Sequence, residues 1–348
     1  MKSFGFLSFG HYGAGHGSQA VTARDALHQA IDLSVAADEI GVNGAYFRVH
    51  HFAKQQAAPF PLLSAIAAKT QRIEAGTGVI DLRYENPLYL AEEAAALDLI
   101  SGGRMALGMS RGSPETALRG YENFGYRGSD PRGGDIAREK FSLFLRGIDG
   151  ERLANTDPQL APAGSKLRVE PHSPGVRKRI WWGSGTRETA EWAGKMGVNL
   201  MSSTLLTEDA GVPFHELQAE QIERFRNAWR EAGHEGTPRV SVSRSVFPLM
   251  NDTDRLYFDR SSRDQVGMID GYRSTFGKTY AAEPGRLIDE LLKDSAVQSA
   301  DTLMLTIPTQ LGVDFNMHIL ESFAQHVAPA LGWKPNTEGP AEGYTLPA

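Results

Sequence analysis

Three groups of residues in this chain could do chemistry, and each stands where a predicted strand hands over to a loop or helix. In Trp181-Trp182-Gly183-Ser184-Gly185-Thr186 an apolar run passes into a helical pattern through two glycines and two hydroxyls. That arrangement points backbone N–H groups at an anion, so a phosphate is the expected guest. It has neither the lysine of a P-loop nor a GxGxxG fingerprint. His50-His51 ends an earlier strand. A vicinal pair there sends its rings to opposite sides, so no shared metal is expected. Each imidazole is a candidate for proton transfer or substrate contact, against plain structural hydrogen bonding. Arg111 stands just past a third strand.

Other residues depend on their surroundings. Arg244 lies inside VSVSRSVF, where a buried cation needs either a bound anion or a carboxylate partner. Asp81, Arg83, Tyr84 and Glu85 follow the strand of residues 73–80 and read as ligand contacts or as solvated loop charge. His11 and His16 belong to a glycine-rich first loop and are candidates for a pocket mouth.

The elements that would position these residues are clearest in residues 72–112. Gly76 and Gly78 interrupt an extended run, where glycine costs stability unless backbone or ligand must come close, so something flat is expected against them. Asn86-Pro87 reads as a helix start, Leu90, Ala94 and Leu97 as its periodic face, and Gly102-Gly103 as its stop. Met105 to Met109 is apolar without alternation, as in a strand covered on both faces. Strand, helix, strand is a βαβ unit, whose ligands bind at the carboxyl ends of the strands.

Eight such pairs can be counted. The other strands are Phe4 to Phe9, Ala45 to Val49, Ile180 to Gly183, Asn199 to Ser203, Arg239 to Leu249 and Thr302 to Ile307. Helices are expected around Leu27 to Val35, from Pro61 to Thr70, Asp135 to Ile148, Thr186 to Met196, Phe214 to Ala232, Arg286 to Lys293, and through Ile319, Phe323 and Val327. Residues 149–179 read as an irregular excursion. Residues 250–284 read as a long polar insertion leaving the carboxyl end of strand seven, where it could cover a site. The count predicts a single α/β domain over 1–333, a (β/α)8 TIM barrel with insertions at its C-terminal face, and a loose tail over 334–348.

Composition narrows the function. The chain has 348 residues, 41% hydrophobic and 22% charged, with a net charge of −6 from 42 acidic residues against 36 Lys and Arg. No basic run suits a phosphate backbone, so nucleic acid is not expected. Cysteine is absent, which removes disulfides, thiolate metal sites and thiol nucleophiles and suits a reducing cytoplasm. The first residues read as strand and loop with no targeting segment, and no apolar stretch is long enough for a membrane span.

The order GTGV (76–79), Asn86-Pro87, SGGR (101–104), Ser110-Arg111 resembles that of the bacterial luciferase-like monooxygenases, and the likeness extends loosely from Phe4 to the terminal helix. The resemblance implies FMN as cofactor. Its ring would lie beside Thr77, Gly78 and Val79, with a cis peptide between Gly78 and Val79, and its phosphate on Arg111, Gly183, Ser184, Gly185 and Thr186. Ser110 stands where luciferase has a cysteine, so a contact alone is implied for it. His50 matches the family's acid/base histidine, with His51 beside it, although Val49 replaces the glutamate that commonly precedes the pair. His11, Asp81 and Arg244 are further pocket candidates.

The activity implied is monooxygenation. Reduced FMN from a separate NAD(P)H-dependent flavin reductase would react with O2 to a C4a-hydroperoxide, which oxygenates a small organic substrate in a dry pocket. A homodimer is implied as well. Within the family, deazaflavin F420 with hydride transfer, or flavin binding without turnover, are the alternative outcomes.

Overall fold

The computed structural model describes residues 3–340 apart from 16, 113, 114, 131, 161, 163, 260, 261, 270 and 271. His16 and the end of the expected tail, 341–348, therefore lie outside the described residues. Eight parallel strands close a barrel in chain order: Ser3–Ser8, Gly44–Phe47, Glu74–Asp81, Met105–Ser110, Ile180–Ser184, Asn199–Ser202, Val240–Arg244 and Thr302–Ile307, the last pairing back onto the first. Helices cover the outer face, and the apolar faces of strand and helix meet in one continuous core.

The third crossover is set by local chemistry. The Asn86 side chain accepts from the N–H groups of Leu88 and Tyr89 and caps the helix Pro87–Ser101. Gly102 ends it at φ 63° and Gly103 follows at φ 84°, conformations that disfavour a side chain. Arg104, buried just beyond, donates to the carbonyls of Ala67, Thr70 and Ile73. The last residue of the SGGR turn thus ties the end of one helix, Pro59–Lys69, to the start of two strands.

The N-terminal end of the barrel is closed by a polar plug. Glu74 opens strand three and Arg239 immediately precedes strand seven, and they meet across the lumen. Arg239 donates to both carboxylate oxygens at 2.5 and 2.9 Å, the Tyr46 hydroxyl donates to Glu74 at 2.8 Å, and the guanidinium lies 4.7 Å from the Trp181 ring centre. Above the plug the lumen is filled by Leu7, Ala106, Trp181, Met201 and Met304.

Boundaries differ from expectation where side-chain pattern does not decide. Strand one ends at Ser8 and the second helix begins at Pro59. The run expected as strand seven, Arg239 to Leu249, is two strands. At Ser245 the hydroxyl bonds Thr306 at 2.6 Å and the carbonyl accepts from the Tyr280 N–H at 2.8 Å. Val246–Pro248 consequently leaves the barrel and pairs with Tyr280–Ala282. The insertion is structured too, with a helix at Asp252–Phe258 and a hairpin of Gln265–Ile269 with Tyr272–Phe276. Beyond Trp333, Asn336 donates to the Gly41 carbonyl at 2.8 Å and the Arg72 carbonyl at 3.3 Å. The first part of the segment expected to be loose is therefore fastened under the barrel.

Candidate functional site

At the opposite, C-terminal end, strands three, four and five converge. The peptide between Gly78 and Val79 is cis, and the ladder between strands three and four shifts register between Thr77 and Ile80. A side chain on Gly183 would begin 3.0 Å from a Val79 methyl and 3.5 Å from the Ser110 Cβ. Val79, Ser110 and Gly183 thus form one contact patch, and the residues that follow them, Arg111 and Ser184 among them, share its rim. Thr77 is buried, with its hydroxyl donating to the Gly108 carbonyl at 2.8 Å. The Ser110 hydroxyl accepts from the Gly112 N–H at 2.9 Å. A side chain on Gly76 would meet the Tyr46 ring and the backbone of strand four, and one on Gly78 would meet the tip of the Leu7 side chain. Gly76 answers to packing inside the barrel.

The strand-five turn fits a phosphate in part. Ser184 is 3% exposed and its hydroxyl has no partner among the described residues, which a buried polar group requires from a ligand or water. The helix Arg187–Lys195 begins next to it. Two of its first N–H groups are already engaged: Thr186 caps Thr189 at 3.1 Å, and the Glu208 carboxylate accepts from Arg187 at 3.0 Å. Glu208 would repel an anion placed directly on the helix axis. The Arg111 side chain runs beside Gly134, where an added Cβ would lie 3.6 Å from its Cδ. Two residues before Gly134, the Arg132 guanidinium lies 4.8 Å from the Tyr272 ring centre. The hairpin of the insertion therefore reaches the strand-four side of the rim.

The histidines occupy the rim between strands one and three. His50 is buried, and its pKa is pushed down to about 4, first by burial and then by Arg48, His51, His11 and Arg83. It is therefore a neutral imidazole near pH 7. His51 is also held below the ordinary range by burial, with Asp81 pulling the other way. Its ring stacks on Tyr84 with centres 4.1 Å apart. His11 is stacked at 6.1 Å on Phe9, whose other neighbour is the Arg48 guanidinium at 4.9 Å. His11 and His50 are thus brought together around Arg48, with His51 next to His50.

Two candidates have other engagements. Asp81 is buried and grips Arg83 through both oxygens at 2.9 and 2.6 Å. Gly112, at φ 94°, leaves that pair its space, since a side chain there would collide with Asp81. The loop charges 81–85 are therefore not solvated, and burial pushes Glu85 up to about 7. Arg244 points out of the barrel onto Asp294, at 2.8 and 3.0 Å. Asp294 also accepts from Tyr280 and the Val297 N–H. Arg244 has the carboxylate partner rather than the bound anion, and its side chain is directed away from the lumen.

Arg48 and Glu115 belong to the site and carry no sequence signal that singles them out. Arg48 follows strand two, and Glu115 accepts a hydrogen bond from the Tyr84 hydroxyl. Burial holds the Glu115 carboxyl above its usual range, with Arg83 and Arg48 among the groups that oppose the shift.

Comparison with known proteins places this arrangement. The family model of the luciferase-like monooxygenases matches residues 1–289. An uncharacterised protein, YwcH, of Bacillus subtilis is 26% identical over 243 residues, and the match spans 68% of this chain and 66% of that protein's length. Limonene 1,2-monooxygenase of Rhodococcus erythropolis is 27% identical over 347 residues, 94% of this chain and 87% of the relative. Among solved structures, the oxygenating constituent of 3,6-diketocamphane monooxygenase from Pseudomonas putida, in complex with FMN, shares the fold. It superposes with a TM-score of 0.68 at 18% identity, over 94% of this chain and 99% of that one.

Proposed function

The chain belongs to the luciferase-like monooxygenase family, and from that premise we propose that it binds FMN at the C-terminal rim and oxygenates a small organic substrate. Reduced FMN would come from a separate NAD(P)H-dependent reductase. One atom of O2 would enter the product and the other would leave as water, with the two electrons drawn from the reduced flavin. The observation that carries this reading is the contact patch of Val79, Ser110 and Gly183, from which Arg111 and Ser184 extend on adjacent strand ends.

Each role follows from position. We assign the patch to the flavin ring, while Arg111 and the Ser184 hydroxyl, which has no partner among the described residues, suit a phosphate. Bound there, the flavin would supply the two electrons that activate O2. His50, uncharged at neutral pH, stands beyond the end of strand two, and we assign it the proton transfer at the reacting centre. The hairpin above Arg132 can exclude water, which guards a reactive oxygen species against wasteful breakdown to peroxide.

The deciding experiment is the absorbance spectrum and mass of any copurifying small molecule, with titration of the apo protein by FMN and by F420. FMN binding followed by O2 uptake on reduction supports the proposal. Preference for F420 without O2 uptake replaces it with hydride transfer.

A further inference from the structure

The imidazole of His51 is buried, yet its Nε2 has no hydrogen-bond partner among the described residues. A buried ring nitrogen left unpaired is costly unless a ligand or water completes it. The ring is held from one side by Tyr84, stacked at 4.1 Å and 18°, and from another by Phe124, edge-on at 5.3 Å. Tyr84 is itself enclosed by Tyr121 and Phe124, and its hydroxyl bonds Glu115. A side chain on Gly120 would collide with that hydroxyl, so the loop after strand four is shaped around it. His51, Tyr84 and Glu115 follow strands two, three and four in turn. One stack and one hydrogen bond join three adjacent strand ends.

We propose that Glu115, acting through the Tyr84 hydroxyl, is a positioning residue for His51, fixing the imidazole so that Nε2 is presented to the ligand at the rim. The sequence places no carboxylate directly before the histidine pair, since Val49 stands there. Glu115 brings one from another strand end and acts on the ring's orientation through Tyr84. Asp81, spent on Arg83, does not supply that function. The inference rests on the rim being the reaction site, but its test does not require turnover.

The test is an NMR titration of 15N-histidine-labelled apo protein, following His51 in the wild type, Tyr84→Phe, Glu115→Ala, Glu115→Gln and the Tyr84→Phe/Glu115→Ala double variant. Tyr84→Phe keeps the stacked ring and removes only the hydroxyl. Tyr84→Phe and Glu115→Ala are expected to raise the His51 pKa equally toward about 6.5, as the ring gains solvent. The double variant should go no further, and Glu115→Gln, whose amide oxygen still accepts from tyrosine, should match the wild type. An unmoved His51 in Tyr84→Phe and Glu115→Ala overturns the proposal, as do shifts that add in the double variant. FMN affinity measured on the same samples separates the two readings: a wild type that binds no flavin removes the proposed function while leaving the His51 result to stand on its own.

Discussion

Arg239 and Glu74, 165 residues apart in the chain, form a fork-to-fork ion pair across the floor of the barrel. Both groups are buried, and each satisfies the other's charge. Removing one partner leaves an uncompensated buried ion, so Glu74→Gln should cost about 3–5 kcal/mol of stability. Urea unfolding measures this. FMN affinity should hardly change, because the pair lies at the end opposite the rim.

Arg111 is expected to carry phosphate affinity. Losing a charge-assisted contact should weaken FMN binding in Arg111→Ala by roughly ten- to a hundredfold, read by fluorescence titration. Affinity equal to the wild type would take Arg111 out of the site.

His50 gives a pH signature with a definite sign. Its pKa in the folded protein is about 4, against about 6.5 in an unfolded chain. Between those values the unfolded state binds the proton more readily. Stability should therefore fall as pH drops from 6.5 to 4 and level off below, with no contribution from this residue above 6.5. His50→Asn should flatten that part of the urea-midpoint profile.

The same residue predicts a change in reaction products. If His50 accepts a proton during oxygenation, His50→Ala should slow product formation by about 10²–10⁴-fold. FMN binding and O2 consumption should persist, with hydrogen peroxide released instead. Product yield per reduced flavin close to the wild type would move the role elsewhere.

The hairpin of residues 265–276 should be the first place that a protease cuts, since Val266, Met268 and Tyr272 are exposed there. Reduced FMN with substrate should slow that cleavage if the hairpin covers the bound flavin. Equal digestion with and without them would count against a lid.

Much of this was legible in the chain because it is local. Asn86, Pro87, Gly102 and Gly103 specify a helix by their own backbone preferences, and they delimit it as read. The eight apolar runs gave the barrel for the same reason. Arg244 illustrates the limit: its burial follows from the sequence, but its partner Asp294 is fifty residues away, and the choice between a ligand and an ion pair is made by folding. Gly76 shows the same limit: a close, flat neighbour was readable, but folding decides that it is the Tyr46 ring from the neighbouring strand. Glu115 was invisible, since its place beside Tyr84 exists only once three strand ends are side by side.

The plug of Tyr46, Glu74 and Arg239 has a kinetic consequence. If flavin and organic substrate both bind at the C-terminal rim, the shut floor leaves them the same doorway, and whichever sits deeper on the strand ends would enter before the other and depart after it. Turnover through one shared opening would be sequential. An excess of the outer molecule would then trap the inner one, so that high substrate slows flavin exchange instead of speeding the cycle.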